Sequence, residues 1–287
     1  MNHLPQWFRQ DLPEKETLSY YLNILKSFKI ETVCNSAHCP NSGKCLSQNT
    51  LTFLILGKAC TRNCRFCAIL NKRPLIPDRE EPLRIGAVSL LLGLKYVVIT
   101  SVTRDDIFDG GAGQFSQVIK SVRKLNPSAK IEVLIPDFSG ESKPLEKIIE
   151  AHPEVIGHNI DTVPRLYRKV KDKKSDYKRS LNLLDMIKKA DKSVFTKSGL
   201  MLGLGEAEDE VVAAMKDLRE SGCDILSLGQ YLSPSPRHLK VERFILPGEF
   251  RLYQKVAISL GFKSVTSGPL VRSSFRAKEQ FEKCMMS

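Results

Sequence analysis

Long apolar runs are scarce in this chain. The longest, Ala87 to Val102, is interrupted by Gly93 and Lys95 and falls short of the roughly 20 uninterrupted apolar residues of a membrane helix. The opening MNHLPQWFRQDLPEKE has neither the apolar stretch of a secretory signal nor the acid-poor, Arg-rich face of a transit peptide. The expected setting is therefore the cytoplasm, with no membrane contact. No Pro- or Gly-rich linker divides the 287 residues, which suits one large domain. Aromatic residues make up only 7%, with Trp7 alone of its kind, so no basic stretch offers the stacking platform of a nucleic-acid binder. Five scattered histidines spell no Ser-His-Asp arrangement. Gly110, Gly111 and Gly113 in GGAGQF lack the G-x-G-x-x-G spacing and downstream acid of a dinucleotide site and read as a flexible turn.

What is present is an ordinary core composition, 42% hydrophobic and 26% charged, which excludes disorder as the default. The net charge of +12 favours an acidic partner. The basic residues are scattered, and the run Lys169, Lys171, Lys173, Lys174, Lys178 and Arg179 reads as a solvated face.

From residue 51 onward, short β-rich runs alternate with helical periods. TLTFLIL, YVVITS, IEVLIP, VIGHNI, SGLMLGLG and ILSLGQ are six candidate parallel strands, too continuously apolar for half-exposed antiparallel ones. SVTSG near Ser264 either extends the sheet or leaves it. Helices are expected over Glu206 to Ser221, with acids in the first turn and Gly222 as the stop, over Tyr177 to Ala190, and over Phe250 to Leu260. Repeated βα units imply a right-handed parallel sheet, open or curled into a barrel, and periodicity does not choose between them. In either case the chemistry is expected at the carboxyl ends of the strands.

Six of the eight cysteines crowd between Cys34 and Cys67. In a reducing compartment this points to metal rather than disulfides. Cys223 reads as a small buried hydrophobe, and Cys284, in the tail KCMMS, as exposed or disordered. The crowded six fall into two triads of unlike spacing, C-x4-C-x5-C (Cys34, Cys39, Cys45) and C-x3-C-x2-C (Cys60, Cys64, Cys67). A closed zinc site takes four ligands, commonly in C-x2-C pairs, and only Cys64 and Cys67 have that spacing. Two separate threes suggest two iron-sulfur clusters, each with one iron left for another ligand. The second triad follows an apolar strand, where an open iron on a [4Fe-4S] cluster can bind S-adenosylmethionine and pass an electron into its sulfonium, giving a 5′-deoxyadenosyl radical. His38 and His158 read as solvated or hydrogen-bonded rather than ligating.

CTRNCRFC, with Phe66 before the last cysteine, resembles the cluster motif of radical S-adenosylmethionine enzymes. With CNSAHCPNSGKC ahead of it, VVITSVTRDDIFDGGAGQF, LIPDFSG, GHNIDTV, TKSGLMLGLGE and LGQYLSPS in order after it, and GPLVRSS near the end, the chain is similar to the lipoyl synthase family from about Trp7 to Ala277. The resemblance implies a partial (β/α)6 TIM-type barrel over residues 51–265. Residues 1–50 would be an N-terminal extension carrying the auxiliary-cluster triad, and residues 266–287 a C-terminal segment carrying the RSS motif.

The resemblance further implies that Cys60, Cys64 and Cys67 bind the [4Fe-4S] cluster that cleaves S-adenosylmethionine. Cys34, Cys39 and Cys45 would bind a second [4Fe-4S] cluster, with Ser274 of Arg272-Ser273-Ser274-Phe275 as its fourth ligand. Gly199-x-Met201-x-Gly203-x-x-Glu206 resembles the family's strand beside adenine, and Asn159 and Asp161 stand where S-adenosylmethionine would be contacted. The implied reaction inserts two sulfurs, drawn from the auxiliary cluster, at C6 and C8 of an octanoyl group. Those C–H bonds are beyond any side-chain base, so a radical is needed.

The implied carriers are octanoylated lipoyl domains of 2-oxoacid dehydrogenase E2 subunits and glycine cleavage H protein. The implied electron donor is a flavodoxin or ferredoxin. The sequence departs from the family at Phe275, where Tyr is usual, at Asp161, where Glu is usual, and at Asn35, Ser36 and Ala37. The other readings are a tRNA methylthiotransferase-like radical enzyme and a non-catalytic zinc or nucleic-acid module.

Overall fold

The computed structural model describes residues 4–8, 15–36, 39, 41, 45 and 50–286; His38 and Ala37 lie outside them. Helix α1 (Lys15–Ser27), strand β1 (Glu31–Thr32) and helix α2 (Val33–Ser36) lead into strand β2 (Leu51–Ile55). A short ribbon, β3 (Ala59–Cys60) with β4 (Leu70–Asn71), carries the second triad's loop. There follow α3 (Glu81–Leu91), β5 (Tyr96–Ser101), α4 (Ala112–Leu125), β6 (Lys130–Leu134), α5 (Ser142–Ile149) and β7 (Val155–Gly157). The chain continues through α6 (Tyr167–Val170), α7 (Tyr177–Ala190), β8 (Phe195–Leu202), α8 (Glu208–Glu220), β9 (Ile225–Gln230), α9 (Pro247–Ser259), β10 (Ser264–Gly268) and α10 (Ala277–Met286).

The six apolar runs expected to be strands are β2, β5, β6, β7, β8 and β9, and SVTSG joins them as β10, parallel to β9. Among the described residues one eight-stranded sheet forms in the order β1-β2-β5-β6-β7-β8-β9-β10, parallel throughout except for β1. Spatial order follows chain order from β2 to β10. With right-handed crossovers running always in one direction, successive helices fall on the same face of the sheet.

The helices form for local reasons. Asp176 caps α7, its carboxylate accepting from Arg179 N at 2.8 Å, and Leu183, Leu184 and Ile187 bury its inner stripe. At the start of α8 the Glu210 carboxylate accepts from Ala207 N at 2.8 Å, while Val211, Met215 and Leu218 are fully buried. Gly110 and Gly111 take φ of 60° and 92° before α4. A Cβ on Gly110 would stand 2.7 Å from Phe138 Cδ1, so this turn is packed rather than loose.

The opposite face of the sheet is layered along the strands. At their amino ends Tyr96, Val98, Val155 and Ile225 pack against Ala277, Phe281 and Cys284 of α10, with the Phe281 ring 5.8 Å from Tyr96 and 5.9 Å from Phe195. Cys284, expected in an exposed tail, is instead 4% exposed, because 277–286 forms a helix that turns Phe281 and Cys284 to one side. Cys223 is buried, as expected. Above this lies a sealed polar layer: Lys197 Nζ meets Glu132 Oε1 at 2.8 Å, and Tyr96 OH donates to Glu132 Oε2 at 2.8 Å. At the carboxyl ends the same face opens into a cavity.

Candidate active site

The cavity holds about 610 Å³, within the range of small-molecule sites. Strands β2, β5, β6, β8 and β9 contribute Thr52, Thr100, Leu134, Gly199 and Gly229 to its wall. All six crowded cysteines line it, as do Asn159, Asp161 and Ser274. Gly203 and Glu206 are not on the wall. The Glu206 carboxylate accepts from Gly203 N at 2.5 Å and Leu204 N at 2.9 Å, closing the turn after β8 behind it.

The second triad sits on a loop pinned from several directions. Thr61 N donates to Thr103 O at 3.1 Å, and Thr61 Oγ1 to Asp105 Oδ2 at 3.0 Å. Arg62 is 7% exposed and bridges Asp105 at 2.9 Å and Asp137 at 2.6 Å. Burial opposes the Asp137 charge, but the Arg62 hydrogen bond and charge outweigh it and hold this carboxyl down at about 2. Segment 170–172 grips the loop next: Val170 O accepts from Arg65 N at 2.9 Å, and Cys64 Sγ accepts from Asp172 N at 3.4 Å. His238 Nε2 donates to Cys67 O at 3.0 Å, which leaves Nδ1 to accept from Ser235 Oγ at 2.8 Å.

Lys171 corrects the sequence reading. Its side chain is 9% exposed and reaches Asp161 Oδ2 at 2.7 Å and Asn159 O at 3.1 Å, whereas Lys169 and Lys174 stay on the surface. Burial works against its charge, but Asp161 outweighs this and holds the ammonium well above the ordinary lysine value. Asp161 itself has φ of 67°, a left-handed conformation that Asp tolerates better than most residues. It is secured there by Asp161 N to Gly199 O and Met201 N to Asp161 O, both 2.9 Å. His158 Nδ1 donates to Ile135 O, which leaves Nε2 to accept from Ser180 Oγ, each 2.9 Å, and burial lowers its pKa to about 4. It is a neutral, hydrogen-bonded residue, as expected.

The first triad reaches the wall from α2 and the turn beyond it. Cys39 N donates to Cys34 O at 3.1 Å, and Cys45 N to Asn41 O at 2.9 Å. Asn41, 1% exposed, donates from Nδ2 to Leu270 O and so ties this segment to the turn bearing Ser274. That turn is closed by Phe275 N to Arg272 O at 2.9 Å and held from α10 by Gln280 Nε2 to Phe275 O at 2.9 Å.

The donor chemistry fits iron-sulfur clusters. Two groups of three soft sulfur donors face a shared space with Ser274, and among the described residues no three His, Cys, Asp or Glu side chains close around a single metal ion. Burial pushes the thiols of Cys34 and Cys64 up to about 11 and that of Cys67 up to about 12. The bare thiols are thus protonated at neutral pH, and metal loading must displace those protons. Arg62, His238 and Asn41 escaped the sequence reading because their partners are remote, and Lys171 was read as solvated. For Arg62 alone a signal existed, its place inside C-x3-C-x2-C.

Comparison with known proteins gives the family of the chain. Residues 54–218 match the family model of the Radical SAM superfamily. The chain is 49% identical over 275 residues to a lipoyl synthase of Caldicellulosiruptor saccharolyticus, covering 96% of each chain. It is 50% identical over 274 residues to the lipoyl synthase of Caldicellulosiruptor bescii, covering 96% of this chain and 94% of that one. Among solved structures, methylornithine synthase superposes with a TM-score of 0.56 at 13% identity, over 82% of this chain and 81% of the other, a likeness of fold. No described helix is long and apolar enough to cross a membrane.

Proposed function

The chain belongs to the lipoyl synthase family of the radical S-adenosylmethionine superfamily, and on that premise we propose that it inserts sulfur at C6 and C8 of an octanoyl group borne on a lysine of a lipoyl-type domain. The observation that carries this is the convergence of both cysteine triads and Ser274 on one cavity at the carboxyl ends of the strands. Consecutive strand order and a wall drawn from five strands support a partial (β/α)6 barrel. Residues 51–265 would form it, with 1–50 and 266–287 as extensions bringing the second donor set.

Bound in this cavity, S-adenosylmethionine and one [4Fe-4S] cluster would supply the radical that opens unactivated C–H bonds, and a second cluster would supply the sulfur. Cys60, Cys64 and Cys67 would hold the first cluster on a loop stiffened by Arg62 and by segment 170–172. Asn159 and Asp161 would contact S-adenosylmethionine, with Lys171 fixing both. Gly203 and Glu206 would act from behind the wall by holding the turn after β8. Cys34, Cys39, Cys45 and Ser274 would hold the second cluster. An oxygen donor binds a soft site less firmly than thiolate, so Ser274 is the ligand suited to release. The surplus of basic residues, net +12, supports recruitment of an acidic carrier such as an octanoylated E2 lipoyl domain or H protein, with flavodoxin or ferredoxin as electron donor. A tRNA methylthiotransferase is not favoured, since the relatives matched over nearly the whole chain are lipoyl synthases.

The test is anaerobic incubation of the reconstituted protein with S-adenosylmethionine, reductant and an octanoyl-lysine peptide, followed by mass spectrometry. Two added sulfurs with 5′-deoxyadenosine are expected. Deoxyadenosine with an unchanged peptide would assign the radical chemistry to another substrate, and no deoxyadenosine at all would defeat the reading.

A further inference from the structure

The turn that carries Ser274 and the end of β7 lie 114 residues apart yet touch in the cavity wall: Asn159 Nδ2 donates to Ser273 Oγ at 2.6 Å. The other end of the amide, Oδ1, is buried with no hydrogen-bond partner among the described residues. Among the described residues the Asn159 side chain is therefore tethered through Ser273 alone. Room for the contact is left by Gly199 on β8, where a Cβ would stand 3.1 Å from Asn159 Oδ1 and 3.4 Å from Ser273 Oγ, so a side chain there presses on both partners. The Asn159 backbone is fixed separately, its carbonyl accepting from Lys171 Nζ at 3.1 Å. One residue further on, the Asp172 amide donates to Cys64 Sγ at 3.4 Å. A continuous run of contacts thus leads from Cys64 to the residue beside Ser274.

We infer that Asn159 is a positioning residue for Ser274: through Ser273 it sets where the Ser274 hydroxyl stands, and it makes that setting respond to what is bound in the S-adenosylmethionine half of the cavity. The inference rests on the proposed division of the cavity between two clusters. It concerns only how the halves communicate, and a path of contacts becomes coupling only when a change at one end is measured at the other.

Ser273→Ala deletes the acceptor while leaving every proposed ligand in place. In the reconstituted holoenzyme, Mössbauer spectroscopy separates the oxygen-bound iron from thiolate-bound ones by its own quadrupole doublet. Adding S-adenosylmethionine without reductant is expected to shift that doublet in the parent protein and not in Ser273→Ala. The deoxyadenosine released per sulfur inserted should rise about 10-fold in the variant, the scale of one lost positioned hydrogen bond. Gly199→Ala, which crowds the same contact from β8, should behave alike, and it carries the test if Ser273→Ala takes up no iron. A doublet unmoved in the parent, or one that shifts equally in all three proteins with the parental product ratio, overturns the inference. A parent protein that inserts no sulfur at all overturns the lipoyl reading instead, and the spectroscopic comparison still decides the coupling.

Discussion

The two cysteine-bearing segments reach the same cavity by different means. The loop of Cys60, Cys64 and Cys67 is gripped by the chain around it: Arg62 lies between two aspartates, segment 170–172 holds its backbone, and His238 holds Cys67 O. The described contacts of Cys39 and Cys45 lie within their own segment, Cys34 also meets Thr52 of β2, and the tie from Asn41 runs to Leu270, in the stretch that leads to Ser274. One donor set sits on a single loop held by its surroundings. The other is assembled from two remote parts of the chain that hold each other.

The contrast can be broken most severely at the thiols. Cys64→Ala should lower deoxyadenosine formation by about 1000-fold or more, since the cluster proposed for this loop would lose one of its three thiolates, while iron at the other triad should remain. Loss of all iron in an otherwise folded protein would show the segments to be interdependent. Next in size is Arg62→Met, which takes the shortest ion pair from both Asp105 and Asp137 and leaves them only Lys174 at 3.6 Å and Arg179 at 3.4 Å. Breaking a buried pair outright costs about 3–5 kcal/mol; with those partners remaining, denaturant unfolding should show the lower end of that range, with iron lost first from the second triad.

The same pair sets an acid response. Because the folded pKa of Asp137 is depressed to about 2, its contribution is present above an unfolded value of about 3.9 and is lost as pH falls toward 2. On the order of 2 kcal/mol should disappear across that window in the parent protein, and Arg62→Met should reduce this component, with Arg179 and Ser139 N still on the carboxylate. Asn41→Ala is milder, about 1 kcal/mol for one hydrogen bond. Its sharper effect should be iron content, falling at the first triad while deoxyadenosine formation persists. Smallest is a rate effect: raising pH from 7 to 8 should speed reconstitution several-fold, because buried thiols with pKa near 11 to 12 must ionise to bind iron.

Much of this was legible in the residues. The β-branched run YVVITS and the stripe of α7 declare strand and helix through local periodicity. Cysteine spacing announced both triads because ligands on one short segment must lie close together. Lys171 was misjudged for the opposite reason. A lysine within a basic run looks solvated unless Asp161, ten residues back, is known to face it. Asn41 and Leu270, or Arg62 and Asp137, meet only after the sheet has formed, and no period in the sequence encodes that meeting. Cys284 misled because a short polar-looking tail hid an amphipathic helix. SVTSG stayed ambiguous since an edge strand of five residues carries little pattern, and its pairing with β9 decided it.

The helix Ala277–Met286 lies beneath Tyr96, Val98, Val155 and Ile225, so the floor of the sheet is sealed by residues made after every strand it seals. On a ribosome, the early strands emerge with those side chains uncovered and wait for α10. The Ser274 turn arrives in the same late stretch of chain, directly ahead of that helix. Closure of the floor and delivery of the serine therefore coincide during synthesis, and a nascent chain halted before residue 277 would display its thiols without its hydroxyl fixed in place.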